Sequence, residues 1–231
     1  LAEIAGEPMI VHAWRRAVAA AVGPVVVACA AREIGAAVAA AGKETVLTRV
    51  DHPSGSDRVH EAVTLLDRAG RHDVVMNVQG DLPLIDPAAI RAVLAPLADP
   101  AVEIATLAAV IADPAELAAP SVVKVAAGFA PGAASARALY FSRLPVPFGA
   151  GEHYHHIGLY AFRRAALERF VALPRGVLEM RESLEQLRAL AAGMHIEVAL
   201  VDSVPLGIDT PEDLAQARAL VSDRRAAPSR P

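Results

Sequence analysis

The first part of the chain alternates between short apolar runs and longer stretches in which apolar residues recur at helical spacing. The short runs are rich in β-branched residues and are bounded by polar ones, which is typical of strands buried in a parallel sheet. The longer stretches begin near proline or acidic residues, and several end at glycine, as helices do. Strands are predicted over residues 24–29, 45–47, 73–78 and 104–110, and helices over 8–22, 32–41 and 57–69 and from residue 86. This β-α-β rhythm predicts an α/β fold with a doubly wound, mostly parallel sheet that helices cover on both faces.

After residue 120 the pattern changes, because strand signals follow one another without long helices between them. Strands are predicted over residues 122–126, 138–142 and 155–162, helices over 164–171 and 178–192, and a strand over 196–201. We expect the first three of these strands to form hairpins in a smaller mixed subsheet. A final helix is expected after Thr210, a favourable N-cap that precedes Pro211 and two acids. Residues 221–231, which are rich in Arg, Pro, Ala and Ser, are expected to form a flexible tail.

The first element that this pattern predicts is a helix. A doubly wound nucleotide-binding domain usually starts with a strand, and the loop after that strand contacts the phosphates. We expect the missing first strand to lie upstream of Leu1 rather than to be absent.

The composition is that of a globular protein, since 54% of the 231 residues are hydrophobic and 21% are charged. A net charge of −4 and an aromatic content of 4% argue against a nucleic-acid-binding protein, which is usually basic or rich in stacking platforms. The longest apolar run, Ala17–Ala31, is interrupted by Gly23 and Pro24 and is too short to span a bilayer. Cys29 is the only cysteine, so no internal disulfide can form, which suits a reducing cytosol.

The residues that follow the predicted strand 73–78 are the first candidates for chemistry. Gln79, Gly80 and Asp81 fall at its carboxyl end, where open α/β sheets bind their ligands. Gly80 has no Cβ and would let a ligand approach the backbone, and Asp81 offers hard oxygen to a cation such as Mg²⁺. An ordinary turn whose acid caps the next helix explains the same residues equally well.

Asp209 is a second acid at a predicted strand-to-helix junction. If the carboxylates of Asp81 and Asp209 converge, they can hold one Mg²⁺ that bridges the phosphates of a nucleoside triphosphate. Two unrelated capping aspartates would give the same pattern. The turn 48–58, with its small hydroxyls, a glycine and two arginines, offers backbone N–H groups to an anion or a base edge. Alternatively, Ser56 or Asp57 caps the helix that follows.

Polar residues in the second half of the chain also permit two interpretations. Arg143, at the end of an apolar run, either holds a carboxylate through two hydrogen bonds or is a surface residue at a strand end. Lys124 alternates with valines and points either at a ligand or into solvent. His155 and His156 face opposite sides of a strand, which disfavours a zinc site and leaves a substrate hydrogen bond as the better interpretation.

The predicted helix 178–192 carries acids and an amide beside its apolar stripe. Leu184 and Leu187 belong to the stripe, whereas Glu182, Glu185 and Gln186 fit the solvated face. A functional role for Glu185 or Gln186 needs support from elsewhere in the sequence.

That support comes from seven motifs that occur in one order along the chain. They are Gly6–His12, Thr48–Arg58, Asn77–Asp81, Ala138–Arg143, His156–Tyr160, Leu184–Arg188 and Gly207–Asp213. The ordered set resembles the 3-deoxy-manno-octulosonate cytidylyltransferase (CMP-Kdo synthetase) family over roughly Leu1 to Leu220. The order of the motifs makes the resemblance more specific than any one of them.

The resemblance implies a nucleotide-diphospho-sugar transferase-like fold in a single domain, residues 1–220. Its nucleotide-binding part would span residues 1–120, its sugar-binding and dimerisation part 121–205, and a closing helix 206–220. The implied reaction converts CTP and 3-deoxy-manno-octulosonate (Kdo) into CMP-Kdo and pyrophosphate, with Mg²⁺ as cofactor. The anomeric hydroxyl of the sugar would attack the α-phosphorus without a covalent enzyme intermediate. The family also implies a cytoplasmic homodimer that serves lipopolysaccharide synthesis in a Gram-negative bacterium.

Site residues are carried over where the motifs match the family. Asp81 and Asp209 resemble the catalytic residues that bind magnesium. The residues that resemble contacts to the acidic sugar are Gln79, Arg143, His156, Tyr160, Glu185 and Gln186. The residues similar to the family's cytosine-side contacts are Arg49, Ser54 and Gly55.

The chain also departs from the family pattern. Family members begin with a strand and an Ala-Arg…Ser-x-Arg-Leu-Pro-x-Lys-Pro loop that grips the triphosphate, and this sequence starts just after that loop. Leu82 replaces a frequent acid, His155 replaces a frequent arginine, and the segment 145–154 is short. The alternatives are a cytidylyltransferase for another acidic sugar, such as a sialic acid or amino-Kdo, or a non-catalytic nucleotide-binding protein if the loop is absent. A dinucleotide-dependent oxidoreductase would need a Gly-x-Gly-x-x-Gly fingerprint, which this sequence lacks.

Overall fold

The computed structural model describes residues 2–226, which divide into two compact units. Unit 1 consists of residues 2–52, 78–88 and 205–226, and unit 2 consists of residues 53–77 and 89–204. The chain therefore passes between the units several times. The predicted parts 1–120 and 121–205 do not coincide with these units, because segments distant in sequence pack together.

The secondary structure follows the predicted order closely. The strands are β1 (Glu3–Ile4), β2 (Glu7–Pro8), β3 (Val27–Cys29), β4 (Thr45–Leu47), β5 (Val74–Asn77), β6 (Ile104–Val110), β7 (Lys124–Ala127), β8 (Ser135–Ser142), β9 (Tyr154–Arg163) and β10 (Ile196–Leu200). The helices are α1 (Met9–Ala19), α2 (Arg32–Ala40), α3 (Gly55–Leu66), α4 (Pro87–Ala92), α5 (Pro114–Ala118), α6 (Arg164–Ala172), α7 (Val177–Glu182), α8 (Gln186–Ala191) and α9 (Pro211–Ala226), with a 3₁₀ turn at Ala95–Ala98. No helix of this described part is long and apolar enough to cross a membrane.

Unit 1 contains two small sheets and amphipathic helices. The strands β3 and β4 pair in parallel, and β1 and β2 form a short antiparallel hairpin ahead of α1 that the apolar pattern did not predict. Helix α1 buries Val11, Ala13 and Ala17, and the last two lie one turn apart on the same face of the helix. Helix α2 buries Val38 and approaches β4 closely at Gly35, where an added Cβ would lie 3.4 Å from Leu47 Cδ2.

Unit 2 is built on a six-stranded mixed sheet in the order β5-β9-β6-β10-β8-β7. Four strands (β5, β6, β7 and β10) share one direction, whereas β8 and β9 run the opposite way. Of the neighbouring pairs, only β6 and β10 are parallel. The α/β class is confirmed, but the strand pairing differs from the predicted parallel arrangement because β9 inserts between β5 and β6.

The strands of the predicted smaller subsheet, β7, β8 and β9, belong to this main sheet. β9 is almost entirely buried along its length, since it lies in the interior of the sheet and both of its faces are covered. A strand buried on both faces has a continuous apolar run in its sequence, whether the neighbouring strands are parallel or antiparallel to it. The apolar pattern therefore located β9 correctly but could not assign its neighbours.

The predicted helix 178–192 is two helices, which is a second difference. Ser183 ends α7 in the left-handed conformation, with φ 56°, and α8 begins at Gln186. α8 buries Gln186 and Arg188, so it has no solvated face of the kind that the pattern predicted. Arg188 forms a buried ion pair with Glu179 of α7, in which its Nη2 lies 2.7 Å from Glu179 Oε1. This pair explains how two charged side chains are accommodated in the core.

The predicted N-cap of the final helix is confirmed. The Asp213 backbone N–H donates to Thr210 Oγ1 at 3.2 Å, and the Thr210 N–H donates to Asp213 Oδ2 at 2.8 Å, which is a reciprocal capping arrangement. α9 continues to Ala226 and so includes residues 221–226, which were predicted to belong to a flexible tail. Residues 227–231, the remainder of that predicted tail, lie outside the described residues.

Candidate active site

The two candidate metal-binding acids both belong to unit 1. The backbone N–H of Ile208, next to Asp209, donates to the Asp81 carbonyl oxygen at 3.0 Å. This hydrogen bond joins the two loops that carry the acids, although they are far apart in sequence. The structure thereby brings Asp81 and Asp209 together. Two unrelated capping residues would have no reason to lie side by side.

The electrostatics of this acid pair favour a bound cation. The pKa of the Asp81 carboxyl is raised, first because the group is partly buried and second because the negative charge of Asp209 lies nearby. Asp81 Oδ1 is buried and has no hydrogen-bond partner among the described residues. A buried carboxylate oxygen without a donor and with a second carboxylate beside it is an unfavourable arrangement that a divalent cation would relieve.

The donor set fits Mg²⁺ bound together with a nucleotide. Mg²⁺ commonly binds through one or two carboxylates and completes its shell with substrate phosphates and water. Asp81 and Asp209 supply two carboxylates, and no group of three or more His, Cys, Asp and Glu side chains that could hold a metal occurs among the described residues. These residues therefore suit a metal that arrives with its substrate better than a closed structural site.

The glycine beside Asp81 packs against helix α1. A Cβ added to Gly80 would lie 2.8 Å from Ile10 Cδ1, so the end of this isoleucine side chain would have to shift. Close packing on Ile10 is thus a second reason for a glycine at this position, beside the predicted approach of a ligand. Leu82, which stands where the family often has an acid, is buried in unit 1, where its Cδ2 would lie 3.9 Å from a Cβ added to Gly207. Its apolar side chain is thus explained by packing.

In the sequence, the predicted nucleotide contacts fall on either side of the boundary between residues 52 and 53, where the chain passes from unit 1 to unit 2. In unit 1, exposed Arg49 pairs with Asp51, with Nε and Nη2 at 3.0 and 3.4 Å from the two carboxylate oxygens. In unit 2, Ser54 is the N-cap of α3, because its Oγ accepts the Asp57 N–H at 3.3 Å. The proposed caps Ser56 and Asp57 are therefore wrong, since the helix begins at Gly55, two residues earlier than predicted. Gly55 is the first residue of α3.

Three of the predicted sugar contacts surround one small cavity in unit 2. Its lining consists of Tyr160, Glu185 and Gln186 together with Ile104, Phe162 and Phe170. The cavity measures about 10 Å³, which is roughly the room that one water molecule needs. Glu185 Oε2 and Gln186 Nε2 are buried without a partner among the described residues, so this cluster contains an unsatisfied acceptor and an unsatisfied donor. The burial of these groups contradicts the predicted solvated face and follows from the break at Ser183.

Ser56 is a member of this cluster that sequence reasoning missed as a functional residue. It is fully buried, and its Oγ donates to Glu185 Oε1 at 2.9 Å. The bond orients the Glu185 carboxylate and leaves its second oxygen without a donor. The residue was interpreted as a possible helix cap, because a serine near a helix start is the usual sign of one.

His156 is buried beside Tyr160, with their ring centroids 5.6 Å apart. Its Nε2 lies 2.9 Å from the hydroxyl of Thr106, which also contacts the carbonyl oxygens of Ile157 and Leu159 at 3.2 and 2.9 Å. Since the hydroxyl proton is engaged by a carbonyl, we assign the Nε2 proton to His156 as the donor, which leaves its Nδ1 as an acceptor. Thr106 is a polar residue in an otherwise apolar buried strand, and that contrast could have identified it.

Burial fixes the protonation state of both aromatic residues. It lowers the pKa of His156 to about 3, with a smaller contribution from neighbouring His155, so the imidazole is neutral at pH 7. It also raises the pKa of Tyr160 well above its ordinary value, and the nearby Glu185 charge adds to the shift. The pair therefore offers neutral hydrogen-bonding groups rather than charges.

Arg143 lies at the end of β8 with its guanidinium directed at backbone carbonyls. Its Nε donates to the Glu182 carbonyl oxygen at 2.8 Å, and its Nη1 donates to that of Pro120 at 3.1 Å. Lys124 points neither at solvent nor into a ligand site, contrary to both interpretations. It is fully buried, and its Nζ donates to three carbonyl oxygens. Burial lowers the pKa of this ammonium, and the Glu116 carboxylate opposes that shift.

Comparisons with known proteins identify the family of this chain. The family described as Cytidylyltransferase matches residues 1–196. The chain is 62% identical over 221 residues to the 3-deoxy-manno-octulosonate cytidylyltransferase of Paramagnetospirillum magneticum, covering 96% of this chain and 90% of that protein. It is 62% identical over 225 residues to the enzyme of the same name from Methylobacterium radiotolerans, covering 97% and 91%.

Solved structures show the same fold. A CMP:2-keto-3-deoxy-manno-octonic acid synthetase complexed with CTP superposes with a TM-score of 0.86 at 38% identity, covering 96% of this chain and 90% of that one. A 4-diphosphocytidyl-2C-methyl-D-erythritol synthase from Anaerococcus prevotii superposes with a TM-score of 0.63 at 12% identity, covering 96% and 92%, and supports the fold alone.

Proposed function

Because this chain belongs to the 3-deoxy-manno-octulosonate cytidylyltransferase family, we propose that it transfers CMP from CTP to the anomeric hydroxyl of Kdo and releases pyrophosphate. The chain is a nucleotidyltransferase. The observation that carries the substrate assignment is the 62% identity, over nearly the whole chain, to relatives that bear this name. The acid pair of unit 1 supports the reaction class, since phosphoryl transfer depends on charge neutralisation at the phosphates.

We assign Asp81 and Asp209 as the residues that hold Mg²⁺. When bound, Mg²⁺ neutralises phosphate charge and supports departure of pyrophosphate. Asp81 contributes a buried oxygen that no described group satisfies, and exposed Asp209 contributes charge beside it. The reaction is a direct displacement at the α-phosphorus, so no nucleophilic side chain of the protein is needed.

We assign Arg49, Ser54 and Gly55 to the cytosine side of CTP. The first N–H groups of a helix have no intrahelical partners, so the start of α3 at Gly55 is suited to a base edge or an anion. Ser54 holds this turn in place by capping the helix. Arg49 already contacts a carboxylate, so nucleotide binding would exchange or share that contact.

We assign Gln79, Arg143, His156, Tyr160, Glu185 and Gln186 to the acidic sugar. Arg143 is the cation of this group and would pair with the sugar carboxylate. The acceptor Glu185 Oε2 and the donor Gln186 Nε2 suit sugar hydroxyls, which donate and accept hydrogen bonds. His156 and Tyr160 add neutral groups that do not repel an anion.

Pyrophosphate release with CTP, Mg²⁺ and one acidic sugar at a time tests the proposal on the full-length protein. We expect the highest kcat/KM with Kdo, and no turnover without a divalent cation. Faster turnover with a sialic acid or amino-Kdo would favour the alternative hypothesis of a cytidylyltransferase for another acidic sugar. No turnover with any sugar would favour a non-catalytic nucleotide-binding protein. We also propose a cytoplasmic location and a role in lipopolysaccharide synthesis. The same assay on fractionated cells tests the location, and activity in the membrane fraction would contradict it.

We further propose that the protein is a homodimer that associates through unit 2. Large apolar side chains are exposed there on and after β8 and along α7: Leu139, Leu144, Phe148, Val177, Leu178 and Met180. The hydrogen bond from Tyr140 Oη to Glu182 Oε1, 3.4 Å long, brings these two elements side by side. A set of large exposed apolar side chains such as this one is more typical of an interaction surface than of a surface that stays in contact with solvent.

Sedimentation equilibrium at micromolar concentration tests the dimer. We expect twice the mass of the polypeptide, and we expect the Phe148→Asp variant to dissociate more readily, because a charge at the fully exposed Phe148 cannot be buried without cost. Val50→Asp, at an exposed valine of unit 1, is the matched control. A monomer at these concentrations would contradict the proposal.

A further inference from the structure

Arg143 is held from two sides by residues that have no assigned role. Its carbonyl oxygen accepts a hydrogen bond from Lys124 Nζ at 2.9 Å. Its backbone N–H donates to Glu182 Oε2 at 3.0 Å, and its side-chain Nε donates to the Glu182 carbonyl oxygen at 2.8 Å. Both the backbone and the guanidinium stem of Arg143 are therefore fixed.

Glu182 receives donors from Tyr140 and Ser142 of β8 and from Arg143, which directly follows the strand. Its Oε1 accepts hydrogen bonds from Tyr140 Oη at 3.4 Å and from Ser142 Oγ at 3.3 Å, in addition to the Arg143 N–H on Oε2. The Ser142 hydroxyl itself accepts the Leu144 N–H at 3.0 Å, which leaves its proton for Glu182. Groups that donate from three directions require a carboxylate, because an amide would present its NH₂ group to one of them.

The backbone conformation at Ser183 makes this contact possible. Ser183 has φ 56° and ends α7 directly after Glu182. The chain turns there, so the Glu182 carbonyl is left without an intrahelical donor and accepts the Arg143 guanidinium instead. Glu182 thus contacts Arg143 with both its side chain and its main chain.

Lys124 supports the opposite side of Arg143. Its fully buried Nζ donates to the carbonyl oxygens of Ala119, Val122 and Arg143 at 2.7, 2.8 and 2.9 Å, which uses all three protons of the ammonium. A buried charge is costly, and an apolar side chain of similar length would fill the same space. The charge is therefore better explained by its hydrogen bonds, which join the turn 119–122 to Arg143, than by packing.

We propose that Lys124 and Glu182 are positioning residues that hold the Arg143 guanidinium in the geometry required by the sugar carboxylate. A two-hydrogen-bond arginine–carboxylate pair depends on the direction of the guanidinium plane, so a small displacement weakens it strongly. The inference deepens the proposed function and rests on it, since the contact between Arg143 and the sugar is itself part of that proposal.

The test is the steady-state kinetics of the full-length Glu182→Gln variant, with CTP and Kdo varied separately. We expect KM for Kdo to rise about tenfold, because misplacement of a binding group by about 1 Å is worth up to about 100-fold. KM for CTP should stay within about twofold of the unsubstituted enzyme. Glu168→Gln, at an exposed glutamate of α6, is the matched control and should change neither constant.

A second variant and a double variant complete the test. Lys124→Met should likewise raise KM for Kdo and leave KM for CTP nearly unchanged. Its melting temperature should be lower, because three carbonyl oxygens lose their donor. If Lys124→Met does not fold, Glu182→Gln alone decides. Adding Glu182→Gln to Arg143→Ala should raise the Kdo KM no further, because a residue that acts through Arg143 has no effect once Arg143 is gone.

The outcomes separate this inference from the proposed function. If Arg143→Ala raises the Kdo KM and Glu182→Gln does not, the inference is overturned and the assignment of Arg143 stands. Equal rises in the KM for CTP and for Kdo in Glu182→Gln would show a general structural role, which also overturns it. If neither variant changes the Kdo KM, the assignment of Arg143 fails and the positioning role fails with it.

Discussion

Asp81→Asn is expected to lower kcat about 100-fold or more while the fold is retained. The variant keeps the shape of the side chain but removes one of the two charges proposed to hold Mg²⁺. A metal ion typically contributes several kcal/mol of transition-state stabilisation, and a loss of about 3 kcal/mol corresponds to roughly 100-fold in rate. Pyrophosphate release at saturating CTP, Kdo and Mg²⁺ measures the effect.

The stability of the same variant provides an independent check. The pKa of Asp81 is raised in the folded protein, by burial and then by Asp209, so the native state favours the neutral form. A raised carboxyl pKa means that ionisation of Asp81 lowers the free energy of unfolding as the pH rises, so a neutral asparagine should leave the melting temperature at neutral pH unchanged or higher. Asp86→Asn is the control, since exposed Asp86 accepts the Ala88 N–H at 2.8 Å in a turn where asparagine serves equally well.

Two results would contradict the role of Asp81. One is a kcat within about threefold of the unsubstituted enzyme, because a metal ligand cannot be neutralised at so little cost. The other is an equal loss in Asp86→Asn, because that acid has no part in the pair.

Arg143→Ala is expected to raise KM for Kdo about 100-fold and to leave KM for CTP nearly unchanged. The substitution removes the charged hydrogen bonds proposed to hold the sugar carboxylate, which are worth about 1.5–3 kcal/mol each. Every 1.36 kcal/mol corresponds to a factor of ten, so the loss of about 3 kcal/mol gives the expected size. Initial rates with each substrate varied at saturation of the other measure the two constants.

Two further variants serve as controls for Arg143→Ala. Arg137→Ala removes an exposed arginine of β8 and should change neither constant. Arg143→Lys keeps the charge but not the fork of donors, so its KM for Kdo should lie between those of the unsubstituted enzyme and Arg143→Ala. A rise in the CTP constant as large as that for Kdo would place Arg143 elsewhere in the reaction.

Local pattern was sufficient for most of the elements, because each strand and helix is marked by its own apolar spacing and its own end signals. The Thr210 cap is an example, since the capping residue, the proline and the acids stand next to each other in sequence. The position of β9 is the opposite case. Its pairing with β5 and β6 joins segments far apart in the chain, and an apolar run carries no record of which strands lie beside it.

The candidate site shows the same division. The order of the motifs was enough to predict the two acids of unit 1 as candidates. Only the structure shows that their loops meet, through the hydrogen bond from Ile208 to Asp81. The burial of Glu185 and Gln186 could not be read from helical spacing, because it depends on one left-handed residue, Ser183, which is not a glycine. The role of Lys124 was hidden for a related reason. Its acceptors are backbone carbonyls, which leave no trace in the side-chain sequence.

Unit 1 has a consequence for how the enzyme is made. Its acids lie on opposite sides of the long stretch 89–204, which belongs to the other unit. During synthesis Asp81 leaves the ribosome before the whole of this stretch and is without its partner acid until Asp209 follows it. Closing so long a loop costs entropy, which an already folded insertion reduces by bringing its two ends into fixed positions. A nascent or prematurely terminated polypeptide that has not reached residue 209 therefore lacks the acid pair that we propose to hold the metal, and we expect it to be inactive.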